Sequence, residues 1–140
     1  MQLMRQAISN KVFALAIILL TVLDQALKYI AISSGHFLIN EGGVWGIPIS
    51  SKALYLLMFF IVILIAFYIN VRIRSMLSTW GFILILSGSL SNIIDRFARE
   101  GVVDYIDIGF WPTFNSSDAF ILVGVILVII DLIRREKLSF

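Results

Sequence analysis

The side chains in this chain that can do chemistry are carboxylates, and they are unevenly placed. Of nine Asp and Glu residues, seven (Asp24, Glu41, Asp95, Glu100, Asp104, Asp107 and Asp118) fall on one side of the apolar segments or in their adjoining halves. Asp104 lies in the β-branched stretch Gly101-Val-Val-Asp-Tyr-Ile-Asp-Ile, and Asp118 follows Asn115-Ser-Ser at the mouth of the last apolar run. No cation stands beside either one locally in sequence. Two close carboxylates cannot both ionise cheaply, so one keeps its proton as an acid while the other activates water, which is the chemistry of amide hydrolysis. Plainer readings stay open. Asp118 suits the first turn of a helix capped by Asn115 or Ser116, and Asp104 suits a turn. Spacing alone does not choose between them.

A second set lies inside the apolar runs, where an ionisable group needs a partner or a job. Asp24 and Lys28 are four residues apart, and Asn92, Asp95 and Arg96 are related by spacings of three and four, so each set shares a helix face. Asp24, Lys28, Asp95 and Arg96 can balance one another, and for Asp24 and Lys28 a structural pair is favoured over direct chemistry. Glu41, Arg99, Glu100 and Asp107 read as solvated, and His36 as an exposed loop residue. Asp131, Arg134 and Arg135 read as the wet end of the last helix.

The absence of cysteine excludes disulfides, zinc thiolate sites and thiol catalysis. The lone His36 cannot build a metal site without several oxygen ligands, so neither a metal nor another cofactor is expected. A net charge of +2 leaves no footprint for nucleic acid.

The elements that must position these residues are membrane spans. Of the 140 residues 60% are hydrophobic and 14% charged, against roughly 25% charged in an average soluble protein, and the mean hydropathy is +1.00. A bilayer acting as solvent accommodates that composition. Four runs are long enough to cross it, at about 12–32, 53–71, 77–97 and 117–133. The short linker 72–75 makes the second and third an antiparallel hairpin. The stretch after Gly101 and Phe37–Asn40 read as short strands. The expected fold is an all-α membrane protein, one domain over 1–140, with four transmembrane helices and a small β-rich extracytoplasmic cap.

Lysine and arginine orient it. Arg5, Lys11, Arg72, Arg74, Arg134, Arg135 and Lys137 lie on one side, and Lys28, Lys52, Arg96 and Arg99 on the other. The richer side should be cytoplasmic, with both termini there. Trp45 and Trp111 outside and Trp80 inside fit an interfacial belt. A cleaved signal peptide at the N-terminus is disfavoured, because Asp24 and Lys28 interrupt its apolar segment.

Five motifs stand in order along the chain. They are Asp24-Gln-Ala-Leu-Lys28, Asn40-Glu-Gly-Gly-Val-Trp-Gly46, Gly88-Ser-Leu-Ser-Asn-Ile-Ile-Asp-Arg96, Gly101-Val-Val-Asp-Tyr-Ile-Asp107 and Phe114-Asn-Ser-Ser-Asp118. In order and spacing the chain resembles the lipoprotein signal peptidases (signal peptidase II). The resemblance implies an aspartic endopeptidase of the bacterial cytoplasmic membrane that removes signal peptides from prolipoproteins, cutting before a diacylglyceryl-modified cysteine. It places the catalytic pair on Asp104 and Asp118 and substrate-binding or supporting roles on Asp24, Lys28, Asn40, Gly42, Asn92, Asp95, Arg96 and Asn115. It implies diacylated prolipoproteins, membrane lipid and globomycin-type cyclic peptide inhibitors as partners, and an active site on the outer side. Departures are Ser117 where alanine is common, Ser91 where glycine is usual, Gly43 and Val44 for an alanine pair, and Trp45 for phenylalanine. They bear on substrate preference rather than on the reaction.

Two other classes fit the composition. A proton-coupled transporter would gather carboxylates and a lysine in its spans, but near mid-membrane and with inverted repeats. A noncatalytic assembly subunit would not require both Asp104 and Asp118.

Overall fold

The computed structural model describes residues 9–41 and 75–137, with side chains as far as Arg134. Helix α1 spans Asn10–Ser34, strand β1 Leu38–Asn40, helix α2 Met76–Arg99, strand β2 Val102–Asp104 and helix α3 Ser116–Lys137. The expected second span, 53–71, and Gly42 lie outside the described residues.

Local chemistry sets the helix ends. The Ser9 hydroxyl accepts the Val12 N–H at 3.3 Å to start α1. Gly35 ends it at φ 73°, where a residue without Cβ is favoured. Ser75 caps α2 in the same way, accepting from Ser78 at 3.2 Å. All three helices are long and apolar enough to cross a membrane, over Asn10–Ser34, Met76–Arg99 and Ser116–Arg134. The 25 residues of α1 reach about 37 Å at 1.5 Å per residue.

The helices are inside out relative to a water-soluble bundle. On α1 the buried stripe is Thr21, Asp24, Lys28 and Ala31, while Leu19, Val22 and Ile30 face outward at 58%, 60% and 61% exposure. Polar groups inside and aliphatic groups outside is the arrangement a hydrocarbon solvent selects.

Among the described helices, α2 lies between α1 and α3. Thr21 donates to the Ser87 carbonyl at 3.3 Å, Gln25 to Ser91 Oγ at 2.8 Å and Lys28 to Asn92 at 2.9 Å, so α1 and α2 run parallel. Helix α3 runs antiparallel to α2, with Gly124 beside Gly81 and Ser117 beside Gly88. A Cβ on Gly81 would lie 2.8 Å from the Gly124 carbonyl oxygen, and one on Gly124 2.5 Å from that of Gly81. A Cβ on Gly88 would collide with the Ser117 carbonyl. These small residues let the two backbones touch, and the second crossing delivers the start of α3 to the polar end of α2.

Among the described residues the expected β-rich cap is one two-stranded ladder. Strands β1 and β2 pair antiparallel, with Leu38 opposite Asp104, Ile39 opposite Val103 and Asn40 opposite Val102. Beyond Asp104 the chain pairs with itself, Ile106 and Phe114 exchanging backbone bonds of 2.8 and 3.0 Å around a turn that contains Gly109 at φ 82°. That doubling back is why the ladder stops at Asp104.

Asp131 departs from its expected solvated place. It is 6% exposed and accepts the Ser78 hydroxyl across the α2–α3 contact. Helix α3 continues to Lys137, so Asp131 sits more than a turn inside its end.

Candidate active site

Most of the buried polar residues of the described helices and strands converge at one end of the bundle. Asp24, Lys28, Asp95, Asn115 and Ser117 are fully buried, and Asn92 and Asp104 nearly so.

An ion cluster forms the floor. Lys28 Nζ lies 2.9 Å from Asp24 Oδ2 and 2.8 Å from Asp95 Oδ2. Arg99 reaches Asp95 Oδ1 at 2.6 Å. Two acids thus meet two bases, with no net charge left in a low-dielectric site. Arg99, expected in solvent, pairs with the buried Asp95 instead. Arg99 follows Asp95 by one full turn on the same face, whereas Arg96 lies about 100° around the helix. Arg96 is half-buried, and its carbonyl accepts the Glu100 N–H at 3.2 Å.

Hydroxyls and amides complete the floor. Ser91, Ser116 and Ser117 all donate to the Asp24 carboxylate. Gln25 donates to Asp95 Oδ1 at 2.9 Å, and the Val103 N–H donates to Asp95 Oδ2 at 3.2 Å, which ties β2 to α2. Tyr105 Oη meets Ser116 Oγ at 2.7 Å. Sequence reasoning did not give Gln25, Ser116 or Tyr105 a place in the site. Ser91 and Ser117 entered only as departures from a family pattern, yet both point at the same carboxylate. Gln25 carried a usable signal, since it shares a turn with Asp24 and Lys28.

Asp104 and Asp118 sit above this floor. Asn40 Nδ2 donates to Asp104 Oδ2 at 3.1 Å, and Asn115 Nδ2 to Asp104 Oδ1 at 2.6 Å. Asn92 Nδ2 donates to Asp118 Oδ1 at 3.0 Å, and the Asn115 backbone N–H to Asp118 Oδ2 at 3.3 Å. Asn115 Oδ1 accepts the Asp118 N–H at 3.1 Å. Because a backbone N–H can only donate, the Asn115 carboxamide must turn its NH₂ toward Asp104. One buried asparagine therefore joins the two carboxyl groups.

Their environments differ. Burial pushes the Asp104 carboxyl above the usual carboxylate range, and the Asp118 charge adds to this, against the pull of the Asn40 and Asn115 amides and of Lys28. Asp118 lies in the first turn of α3, where free N–H groups favour negative charge. Among the described residues no group of three or more His, Asp or Glu side chains is arranged to hold a metal. His36 is exposed, its Nδ1 2.9 Å from the Ser34 carbonyl.

The model of the signal peptidase (SPase) II family matches residues 16–134. The chain belongs to that family. It is 41% identical over 99 residues to the lipoprotein signal peptidase of Borrelia duttonii (strain Ly), a match covering 63% of this chain and 58% of that protein. The chain thus spans less than two thirds of that relative's length. It is 33% identical over 139 residues to the lipoprotein signal peptidase of Staphylococcus aureus (strain bovine RF122 / ET3-1), covering 84% of this chain and 85% of the relative. Among solved structures it resembles a bacterial membrane enzyme determined by the in meso method at 2.3 Å resolution, with TM-score 0.85, 26% identity and coverage of 98% of this chain and 96% of the other. The family match spans every site residue described above, from Asp24 to Asp118.

Proposed function

We propose that this chain is an aspartic endopeptidase that removes signal peptides from diacylglyceryl-modified prolipoproteins, with Asp104 and Asp118 as its catalytic pair. The observation that carries this reading is the Asn115 bridge. It holds the two carboxyl groups in one hydrogen-bonded unit, in which burial raises the pKa of the Asp104 carboxyl while Asp118 accepts donors at the start of a helix.

The chemistry follows from that asymmetry. Asp118 takes a proton from a water whose oxygen attacks the scissile carbonyl carbon. Asp104 gives its proton to the leaving nitrogen as the C–N bond breaks. One proton has then moved from Asp104 to Asp118, and exchange with solvent resets the pair. Asp24, Lys28, Asn40, Asn92, Asp95, Arg96 and Asn115 support the pair or the substrate. Gly42 keeps its proposed supporting role from the sequence alone.

The placement fits a lipid-anchored substrate. The pair lies where the helices meet the outer cap, so the diacyl chains stay in the bilayer while the scissile bond reaches water. The same end-on crowding disfavours a transporter, which would place its charges near mid-membrane. We read the whole of 1–140 as one domain in the bacterial cytoplasmic membrane, with four spans, cytoplasmic termini and the site outside. The parallel run of α1 and α2 supports the fourth span, since a chain leaving α1 at one end of the bundle enters α2 at the other. Globomycin-type cyclic peptides should compete in the substrate groove.

The test is cleavage of a diacylated prolipoprotein by the purified chain, read by mass spectrometry. A product beginning at the lipidated cysteine is expected, and an uncut substrate under conditions where a family member cuts it would overturn the proposal. Alkaline phosphatase fused after Arg99 should be active and fused at the C-terminus inactive, and the reverse pattern would refute the orientation.

A further inference from the structure

The ion cluster and the Asp104–Asp118 pair are joined through Asn92. Lys28 Nζ donates to Asn92 Oδ1 at 2.9 Å, and Asn92 Nδ2 donates to Asp118 Oδ1 at 3.0 Å. An ammonium group has donors and no acceptor, so Asn92 must present its oxygen to Lys28. Its NH₂ is thereby committed to Asp118. Without Lys28 the carboxamide is free to rotate and turn its oxygen, a repelling dipole, toward that carboxylate.

The charge of Lys28 must be separated from this orienting effect. From α1, Lys28 stands beside Asp24. From α2, Asp95 and Arg99 close the cluster, and from β2, Asp104 faces the pair. Lys28 and Arg99 are offset by Asp24 and Asp95, yet the Lys28 charge is still felt at Asp104, so a test must hold that charge constant.

We propose that Lys28 is a positioning residue for the peptidase reaction: through Asn92 it keeps an amide hydrogen on Asp118 and so holds that carboxylate in place to activate water. The inference rests on the reading of Asp104 and Asp118 as the catalytic pair. Lys28 acts here through Asn92, by a hydrogen bond whose polarity it dictates.

Removing Lys28 alone would strand two buried acids, so the test uses charge-balanced pairs. Asp24→Asn/Lys28→Gln keeps a donor for Asn92, and Asp24→Asn/Lys28→Met does not, although both carry the same charge. Cleavage of a diacylated prolipoprotein by the purified full chain is followed against pH. The methionine variant should lose roughly ten- to a hundredfold in kcat, the scale of a misplaced catalytic group, with little change in KM. Its acidic limb should move to higher pH, because losing a donor to the ionised form raises that pKa. The glutamine variant should recover most of both. Equal kcat and equal limbs in the two variants would overturn the proposal.

If thermal unfolding shows that the methionine variant does not fold, Asn92→Ala carries the test without altering any charge. It must move the acidic limb in the same direction, and an unmoved limb refutes the relay. Asp118→Asn run in parallel separates the two levels of failure. Cleavage by that variant would sink the catalytic pair itself. Its inactivity together with unmoved limbs in the other variants would sink only the role of Lys28.

Discussion

Asn115 and Asp118 cap each other across the first turn of α3. The Asn115 side-chain oxygen accepts the Asp118 N–H at 3.1 Å, and the Asp118 carboxylate accepts the Asn115 N–H at 3.3 Å. This is a capping box with Asn and Asp in place of the usual Ser or Thr and Glu. It makes a helix-start device part of the proposed catalytic pair, because the other end of the Asn115 amide holds Asp104 at 2.6 Å.

The two duties of Asn115 can be separated. Serine is an equally good N-cap, so Asn115→Ser should cost less than about 1 kcal/mol of helix stability. It has no second donor to reach Asp104. Thermal unfolding in detergent should therefore change little while kcat falls by at least about tenfold. Loss of stability in proportion to activity would mean that Asn115 matters only as a cap.

Gly88 should be sensitive for a reason outside the site. Its missing Cβ leaves room for the Ser117 carbonyl, one residue before Asp118, and an added methyl must push that backbone away or meet Ile121 Cγ1 at 2.9 Å. Gly88→Ala should cost about 1–3 kcal/mol as overpacking and also reduce turnover, since the displaced segment carries Asp118. Unchanged turnover in a folded Gly88→Ala protein would show that α3 is not positioned by this contact.

The pH dependence of stability has a definite sign at Asp104. Its folded pKa lies above the ordinary 3.8, so between 3.8 and that raised value the folded chain binds more protons than the unfolded one. Its contribution to stability is therefore full below pH 3.8 and is lost as pH rises through the folded value. Whatever constant offset the substitution brings, the Tm of the native chain relative to Asp104→Asn should fall as pH rises from 3.8. A relative Tm that rises over that window would place Asp104 among ordinary paired carboxylates.

The three long apolar helices and the two short strands were legible because apolar length and β-branched alternation are local signals. Helices α1, α2 and α3 overrun the expected 12–32, 77–97 and 117–133 by only a few residues at each end. The partners of the buried charges were less legible, because they depend on how the helices are rotated about their axes. Arg99 meeting Asp95 is one case. Asp131 is another: the basic run after it suggested water, yet it faces Ser78 from 53 positions away in sequence. The three serines on Asp24 come from two other helices, and no spacing within either helix could reveal that convergence. What the motifs did mark was the set of residues that meet: Asp24, Lys28, Asn40, Asn92, Asp95, Asp104, Asn115 and Asp118 share one connected hydrogen-bond and ion-pair network.

The central claim is that Asp104 and Asp118 act as one device. The most direct measurement is single-turnover cleavage of a diacylated prolipoprotein by Asp104→Asn, Asp118→Asn and the double variant, each shown to be folded by thermal unfolding in detergent. Each single variant should be inactive, and the double variant hardly worse than either, because groups that act as a unit are not additive. Near-normal turnover by either folded single variant would contradict the aspartic mechanism.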